Sequence, residues 1–181
     1  MIACAGEQLE HLIRACADIA DVDDIVVVGS QAILAQHPDA PPSMLISVEA
    51  DVYPLRHQER AVVIEGAIGE GSPFHATFEY YAHGVGRETV IAPRGWTDRL
   101  VPLSNANTRG ATGWCMDTHD LVVAKCVAGR DKDWRFAEDA LRHGLVDPGE
   151  LRGRVQLLPL SGESLAAVAQ GLEPRLAKLS R

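Results

Sequence analysis

No stretch of this 181-residue chain is long and apolar enough to span a bilayer; the purely apolar runs, such as residues 25–28 (Ile-Val-Val-Val), are far too short. No charged-then-apolar leader opens the chain, so the sequence predicts a soluble cytoplasmic protein with no membrane partner. Cysteine is scarce: Cys4, Cys16, Cys115 and Cys126 never stand in a C-x-x-C spacing, which removes a zinc ribbon or a redox pair and predicts four reduced, mostly packed thiols. The seven histidines form no H-x-x-x-H pair, so a helix-borne histidine metal site has no support. The glycine-rich segment 66–72 lacks the G-x-G-x-x-G frame, no Ser-His-Asp order is recognisable, and no internal repeat is present.

What is present is ordinary for a globular protein: 46% hydrophobic and 23% charged residues, in a length that suits one well-cored domain with a helical appendage. The net charge of −8 is unevenly spread. Residues 1–85 hold 13 acidic and three basic side chains, whereas residues 86–181 hold 12 acidic and 14 basic ones. The first part therefore offers carboxylates to a cation and the second tolerates an anion, although a solvated acidic surface accounts for most of these charges. Bulk DNA binding is disfavoured.

Leu9, Leu12, Ile13, Cys16, Ile19 and Ala20 recur at helical spacing and predict an amphipathic helix over 7–20. A β-branched strand at 25–28 follows, then a Gly29-Ser30 turn and a short helix over 31–36 that Pro38, Pro41 and Pro42 forbid to continue. Residues 46–53 alternate, with Ile46, Val48, Ala50 and Val52 on one side and Ser47, Glu49, Asp51 and Tyr53 on the other. A helix is expected over 57–67, strands over 76–83 and 88–92, and a connecting loop over 104–113. Asp117 and Asp120 read as a capping box opening a helix, 131–143 continues helical to Gly144, and Asp147-Pro148-Gly149-Glu150 opens another helix. A last helix over 162–179 is expected to split at Pro174, and its Leu165, Val168 and Leu172 spacing suits docking or, if exposed, a dimer. The order predicts an α/β (α+β) fold: a mixed sheet flanked by helices (1–115), with a helical C-terminal portion (116–181) packed on it as one unit.

Two constellations carry chemistry. Gly29 and Ser30 follow a strand and precede a helix, where a hydroxyl and unpaired backbone N–H groups make a phosphate cradle. About twenty residues on, Glu49 and Asp51 leave one strand face, and two carboxylates with substrate phosphates are what Mg²⁺ or Mn²⁺ takes. Each half alone is also an ordinary turn or a solvated face; their order makes the pair informative. The second constellation is Lys125 on an otherwise apolar helix, followed by Arg130, Lys132 and Asp133. Lys125 needs an anion or a route to solvent; Arg130 and Lys132 suit phosphate, and Asp133 suits orienting a base, or all of them form an ion-pair network between helices.

The arrangement Val28-Gly29-Ser30 … Glu49-Ala50-Asp51-Val52 resembles the signature of the nucleotidyltransferase superfamily, the polymerase-β-like fold, with Glu49 where Asp is more usual. The run from His119 to Lys125 and then Gly129-Arg130-Asp131-Lys132-Asp133 is similar to the branch containing minimal bacterial nucleotidyltransferases and AbiEii-type toxins. With Pro93-Arg94-Gly95-Trp96 and Asp98-Arg99-Leu100, the resemblance covers roughly residues 25–145. It implies a metal-dependent enzyme that moves an NMP from an NTP to an acceptor hydroxyl on RNA, such as a tRNA end, or on protein. A toxin-like role beside a cognate antitoxin belongs to the same implication. Gly29, Ser30, Lys125, Arg130 and Lys132 would hold nucleotide, Glu49 and Asp51 the metal, and Lys125 and Asp133 would assist. Active members place a third carboxylate on a later strand, for which Glu79, expected on a face with Thr77, Tyr81 and His83, is the best candidate. The other reading is a catalytically silent module of the same fold that binds a nucleotide or a partner.

Overall fold

The computed structural model describes residues 5–179, so Cys4 lies outside the described residues. The chain divides into two compact units, one of residues up to 89 together with 100–116, the other of residues 90–99 and those from 117 onward.

The first unit is built on a mixed five-stranded sheet. In chain order its elements are α1 (Ala5–Ala20), β1 (Asp24–Val28), β2 (Glu49–Pro54), α2 (Ala61–Ile68), α3 (Pro73–Phe78), β3 (Tyr81–Gly84), β4 (Val101–Leu103) and β5 (Thr112–Cys115), with short 3-10 turns between them. The strand order is β3-β2-β1-β5-β4; β1 runs antiparallel to β2 and parallel to β5, β2 parallel to β3, and β4 antiparallel to β5. Central position explains the composition of β1: Ile25, Val26, Val27 and Val28 are all buried, as a strand covered on both faces requires. Leu9, Leu12, Ile13 and Cys16 form the buried stripe of α1, and Ile13 presses onto β5 so closely that a Cβ on Gly113 would overlap its Cδ1. Tyr53, Ile64 and Ala82 extend this core.

The second unit is helical: α4 (Thr118–Ala128), α5 (Asp131–Arg142), α6 (Pro148–Gln156) and α7 (Gly162–Leu179). Helices α4 and α6 start where short polar side chains take the first backbone N–H groups: Asp117 accepts from His119 and Asp120, and Asp147 from Glu150. The stretch 90–99 joins it through the Arg94 amide, which donates to the Leu157 carbonyl at 2.8 Å. No helix among the described residues is long and apolar enough to cross a membrane.

Several expectations are corrected. Residues 76–83 are not one strand: Ser72 caps His75, Pro73 opens α3, and Glu79 closes it in the left-handed region before β3 begins. Hydrophobic alternation there reflects aromatic clustering, not pleating; Phe74 and Phe78 stack 4.6 Å apart on the short helix. Strand β2 starts only at Glu49, and Ile46 and Val48 ahead of it are 78% and 53% exposed, not core. The strand expected at 88–92 is a 3-10 turn over Arg87–Thr89 followed by irregular chain. Conversely, the loop expected over 104–113 contains the capped turn Ala106–Thr108 and the start of β5, the strand that joins β1 to β4. Helix α7 passes through Pro174 unbroken, since burial of Val168, Leu172 and Leu176 on one face holds both halves in line. Cys16, Cys115 and Cys126 are unpaired and buried, and burial pushes the Cys115 and Cys126 thiols up to about 12.

The close approach at Gly113 gives a direct test. Gly113→Val should lower unfolding free energy by about 1–3 kcal/mol through overpacking, and Ile13→Ala in that background should recover part of the loss. Urea denaturation of the single and double variants measures both.

Candidate functional site

The antiparallel β1/β2 register sets Val28 opposite Asp51, so the chain leaving β1 turns directly beside that carboxylate. Gly29 makes the turn with φ +74° and ψ −173°, a combination essentially reserved for glycine. A Cβ at Gly29 would stand 2.5 Å from Asp51 Oδ2; the backbone is packed against the acid. Ser30 then opens the expected short helix, a six-residue 3-10 helix over Ser30–Ala35, and Gln31 from it donates to the Ser47 carbonyl at 2.6 Å. The glycine–serine turn and the acidic strand are thus tied together at one end of the sheet. Glu49 and Asp51 alternate with buried Ala50 and Val52 and are both half-buried.

Strand β3 supplies the neighbours of the acidic pair. The parallel register matches Glu49 with Tyr81 and Asp51 with His83. The Tyr81 hydroxyl donates to Glu49 Oε2 at 2.9 Å, and His83 Nδ1 lies 3.0 Å from Asp51 Oδ1. Burial first, then the Glu49 hydrogen bond and the surrounding carboxylate charge, push the Tyr81 phenol up to about 12. The two residues across the strand from the carboxylates are therefore a phenol and an imidazole, not a third acid. Glu79 lies before β3, exposed at the left-handed end of α3, and not on the strand face expected for it. Sequence reading noted Tyr81 and His83 only as companions of Glu79; the register that makes them partners of Glu49 and Asp51 is a tertiary fact.

Within the helical unit the second constellation is an ion-pair cluster around Asp133, a buried carboxylate. Arg130 grips it through Nε at 2.6 Å and Nη2 at 3.2 Å, Lys125 Nζ stands 3.6 Å away, and the Arg130 amide donates to it as well. The Lys125 ammonium also lies over the Phe136 ring, 5.5 Å from its centroid. Burial opposes ionisation of Asp133, but Arg130 and Lys125 outweigh it and hold the carboxyl below the usual range. Lys132 is exposed. A second buried acid is Asp120, for which the sequence signals only a capping-box place. Its side chain is 0% exposed and is held by Arg99 through Nε and Nη2 at 2.8 and 3.0 Å and by Arg154 Nη1 at 2.7 Å. Asp117 alone caps α4, and the signal for Asp120 was its place on the inner face of a buried helix, one residue before Leu121.

A family described as nucleotidyltransferase of unknown function (DUF6036) matches residues 7–156. The chain belongs to this family. Neither the curated proteins nor the solved structures include a match to it. The family match spans the acidic pair, the glycine–serine turn and the Asp133 cluster; it carries the nucleotidyltransferase assignment and does not extend to the AbiEii-type branch.

For a nucleotidyltransferase-family chain the metal question turns on donor chemistry. Glu49 and Asp51 provide hard carboxylate oxygens, and among the described residues no group of three or more His, Cys, Asp or Glu side chains is arranged to hold an ion. Such a pair fits a cation that completes its shell with substrate phosphates and water, and does not fit an all-protein cage of the zinc type.

Two measurements follow from this geometry. Gly29→Ala should destabilise the protein by about 1–3 kcal/mol from its backbone angles alone, and more from overlap with Asp51. In Gly29→Ala/Asp51→Ala the overlap is gone, so the double variant should be more stable than the two single losses predict, as read by a double-mutant cycle in urea. Asp133→Ala should cost about 2 kcal/mol by leaving Lys125 and Arg130 without their shared acid, less than a fully buried pair because Arg130 is well exposed. Because the folded Asp133 value is depressed, its contribution is fully present above the unfolded carboxyl value of about 3.9 and fades as pH falls below that. The gap in stability between wild type and Asp133→Ala should therefore narrow below about pH 4 in thermal melts.

Proposed function

We propose that the protein is a metal-dependent nucleotidyltransferase that transfers an NMP from an NTP to an acceptor hydroxyl, on RNA such as a tRNA end or on protein. The observation that carries this reading is the packing of the Gly29 backbone against the Asp51 carboxylate, in a chain of a nucleotidyltransferase family. The turn that would receive phosphate and the acid that would hold the cation are neighbours by register.

In this reading Glu49 and Asp51 hold Mg²⁺ or Mn²⁺, which when bound neutralises triphosphate charge and polarises the α-phosphate. Gly29 lets the turn close against Asp51, and the Ser30 hydroxyl would donate to a phosphate oxygen. The acceptor oxygen forms its bond to the α-phosphorus as the bond to the bridging oxygen breaks, pyrophosphate leaves, and the acceptor proton passes to solvent. Nucleotide contacts by Lys125, Arg130 and Lys132 belong to the same proposal. Lys125 and Arg130 share Asp133, which would act by orienting them. The third-carboxylate role expected of Glu79 draws no support from its exposed position at the end of α3.

One observation favours a second reading, a catalytically silent module that binds a nucleotide or a partner: Tyr81 and His83 stand where an additional acid on β3 would face the pair. Incubation with α-³²P-labelled NTPs, Mg²⁺ or Mn²⁺ and total RNA and protein separates the two. The enzyme labels an acceptor, and Asp51→Asn, still folded by circular dichroism, lowers labelling at least about 100-fold. Labelling that Asp51→Asn leaves unchanged removes the metal role, and nucleotide binding without labelling selects the silent module. A toxin-like activity with a cognate antitoxin would appear as growth arrest on expression that Asp51→Asn relieves.

A further inference from the structure

We propose that Tyr81 and His75 are positioning residues for Glu49, fixing which of its two oxygens is left to a bound divalent cation. The inference rests on the metal-dependent reading of Glu49 and Asp51 and adds residues that the reading does not use.

A glutamate at the start of a strand has three rotatable bonds and two equivalent oxygens, and a second carboxylate two residues away repels it. Glu49 needs a directional restraint if it is to present one oxygen reproducibly. The Tyr81 hydroxyl provides it, donating to Oε2 at 2.9 Å and leaving Oε1 as the open donor. Tyr81 itself is fixed on three sides. It is buried, its amide donates to the Val48 carbonyl at 3.1 Å, and the His75 ring packs against its ring with centroids 4.6 Å apart.

His75 is also held. Its Nδ1 accepts from the Gly71 amide at 3.0 Å, which places the ring proton on Nε2, and its own amide donates to Ser72 Oγ at 3.1 Å. The result is a continuous chain from the 69–72 loop through His75 and Tyr81 to Glu49. It also gives a purpose to α3: a strand through 76–80 could not set His75 across the Tyr81 ring from the preceding turn. Outer hydrogen-bond partners of this kind change metal affinity by about 10–100-fold when removed.

The test is Mn²⁺ binding to the full chain without nucleotide, followed by the electron paramagnetic resonance signal of free Mn²⁺, with a thermal melt of each variant. Tyr81→Phe keeps the ring and deletes the hydroxyl; its Mn²⁺ affinity should fall about tenfold with the fold retained. His75→Ala should lose about threefold, and Tyr81→Phe/His75→Ala should be no weaker than Tyr81→Phe, because His75 acts only through the hydroxyl. Affinity in Tyr81→Phe within twofold of wild type overturns the inference, as does a His75→Ala loss that multiplies with the Tyr81→Phe loss. Should Tyr81→Phe fail to fold, His75→Ala decides, with undiminished affinity counting against the proposal. Mn²⁺ binding that is lost in Asp51→Asn but kept in Tyr81→Phe rejects the positioning role alone. A wild-type chain that binds no Mn²⁺ rejects the metal reading and this inference together.

Discussion

The contact between the Gly29 backbone and the Asp51 carboxylate is the constraint on which the rest of the site depends. It exists because β1 and β2 are antiparallel neighbours with Val28 opposite Asp51, so the residue after β1 must turn over the acid. Any side chain there would displace Asp51 or distort the turn, and the φ of Gly29 admits few other residues. Ser30 and Gln31 follow that turn directly, and the separate parallel pairing of β2 with β3 brings Tyr81 and His83 to Glu49 and Asp51. The first unit therefore assembles its polar cluster from backbone geometry, with side-chain choice adjusting it.

The two units handle buried charge in different ways. Glu49 and Asp51 are half-buried at the end of the sheet, with the Tyr81 phenol and the His83 imidazole among their hydrogen-bond partners. Around Asp120 and Asp133 each carboxylate is sealed and met by two cationic side chains. Sealed acids matched by guanidinium forks define helix positions, since each arginine can satisfy two oxygens at once.

Legibility in the sequence followed the range of the forces involved. The helices of the second unit could be read because their signals are local: Asp117 and Asp147 cap, Pro148 opens and Gly144 stops. The mixed sheet with helices was readable as a class, and the β1 turn and the acidic strand as motifs. Strand β5 was not readable, because Thr112-Gly113-Trp114-Cys115 has the look of a loop and is a strand only because β1 and β4 pair with it from either side. Residues 73–80 misled through their aromatic alternation, although Ser72-Pro73 carries a cap signature of its own. The partners of the site, Tyr81 for Glu49 and His83 for Asp51, lie 32 residues from them, and no local pattern encodes that pairing. Asp120 escaped for a similar reason: its two arginines are 21 and 34 residues distant.

The discontinuity of the helical unit has a consequence for the order in which the chain can mature. Arg99 belongs to a ten-residue segment that emerges from the ribosome before the last two strands of the sheet, yet its buried partner is Asp120 and the other clamp on that acid, Arg154, comes later still. Arg99 is therefore made, with only water to meet its guanidinium, before either Asp120 or Arg154 exists. The two-arginine clamp on that acid can be complete only once translation has passed residue 154.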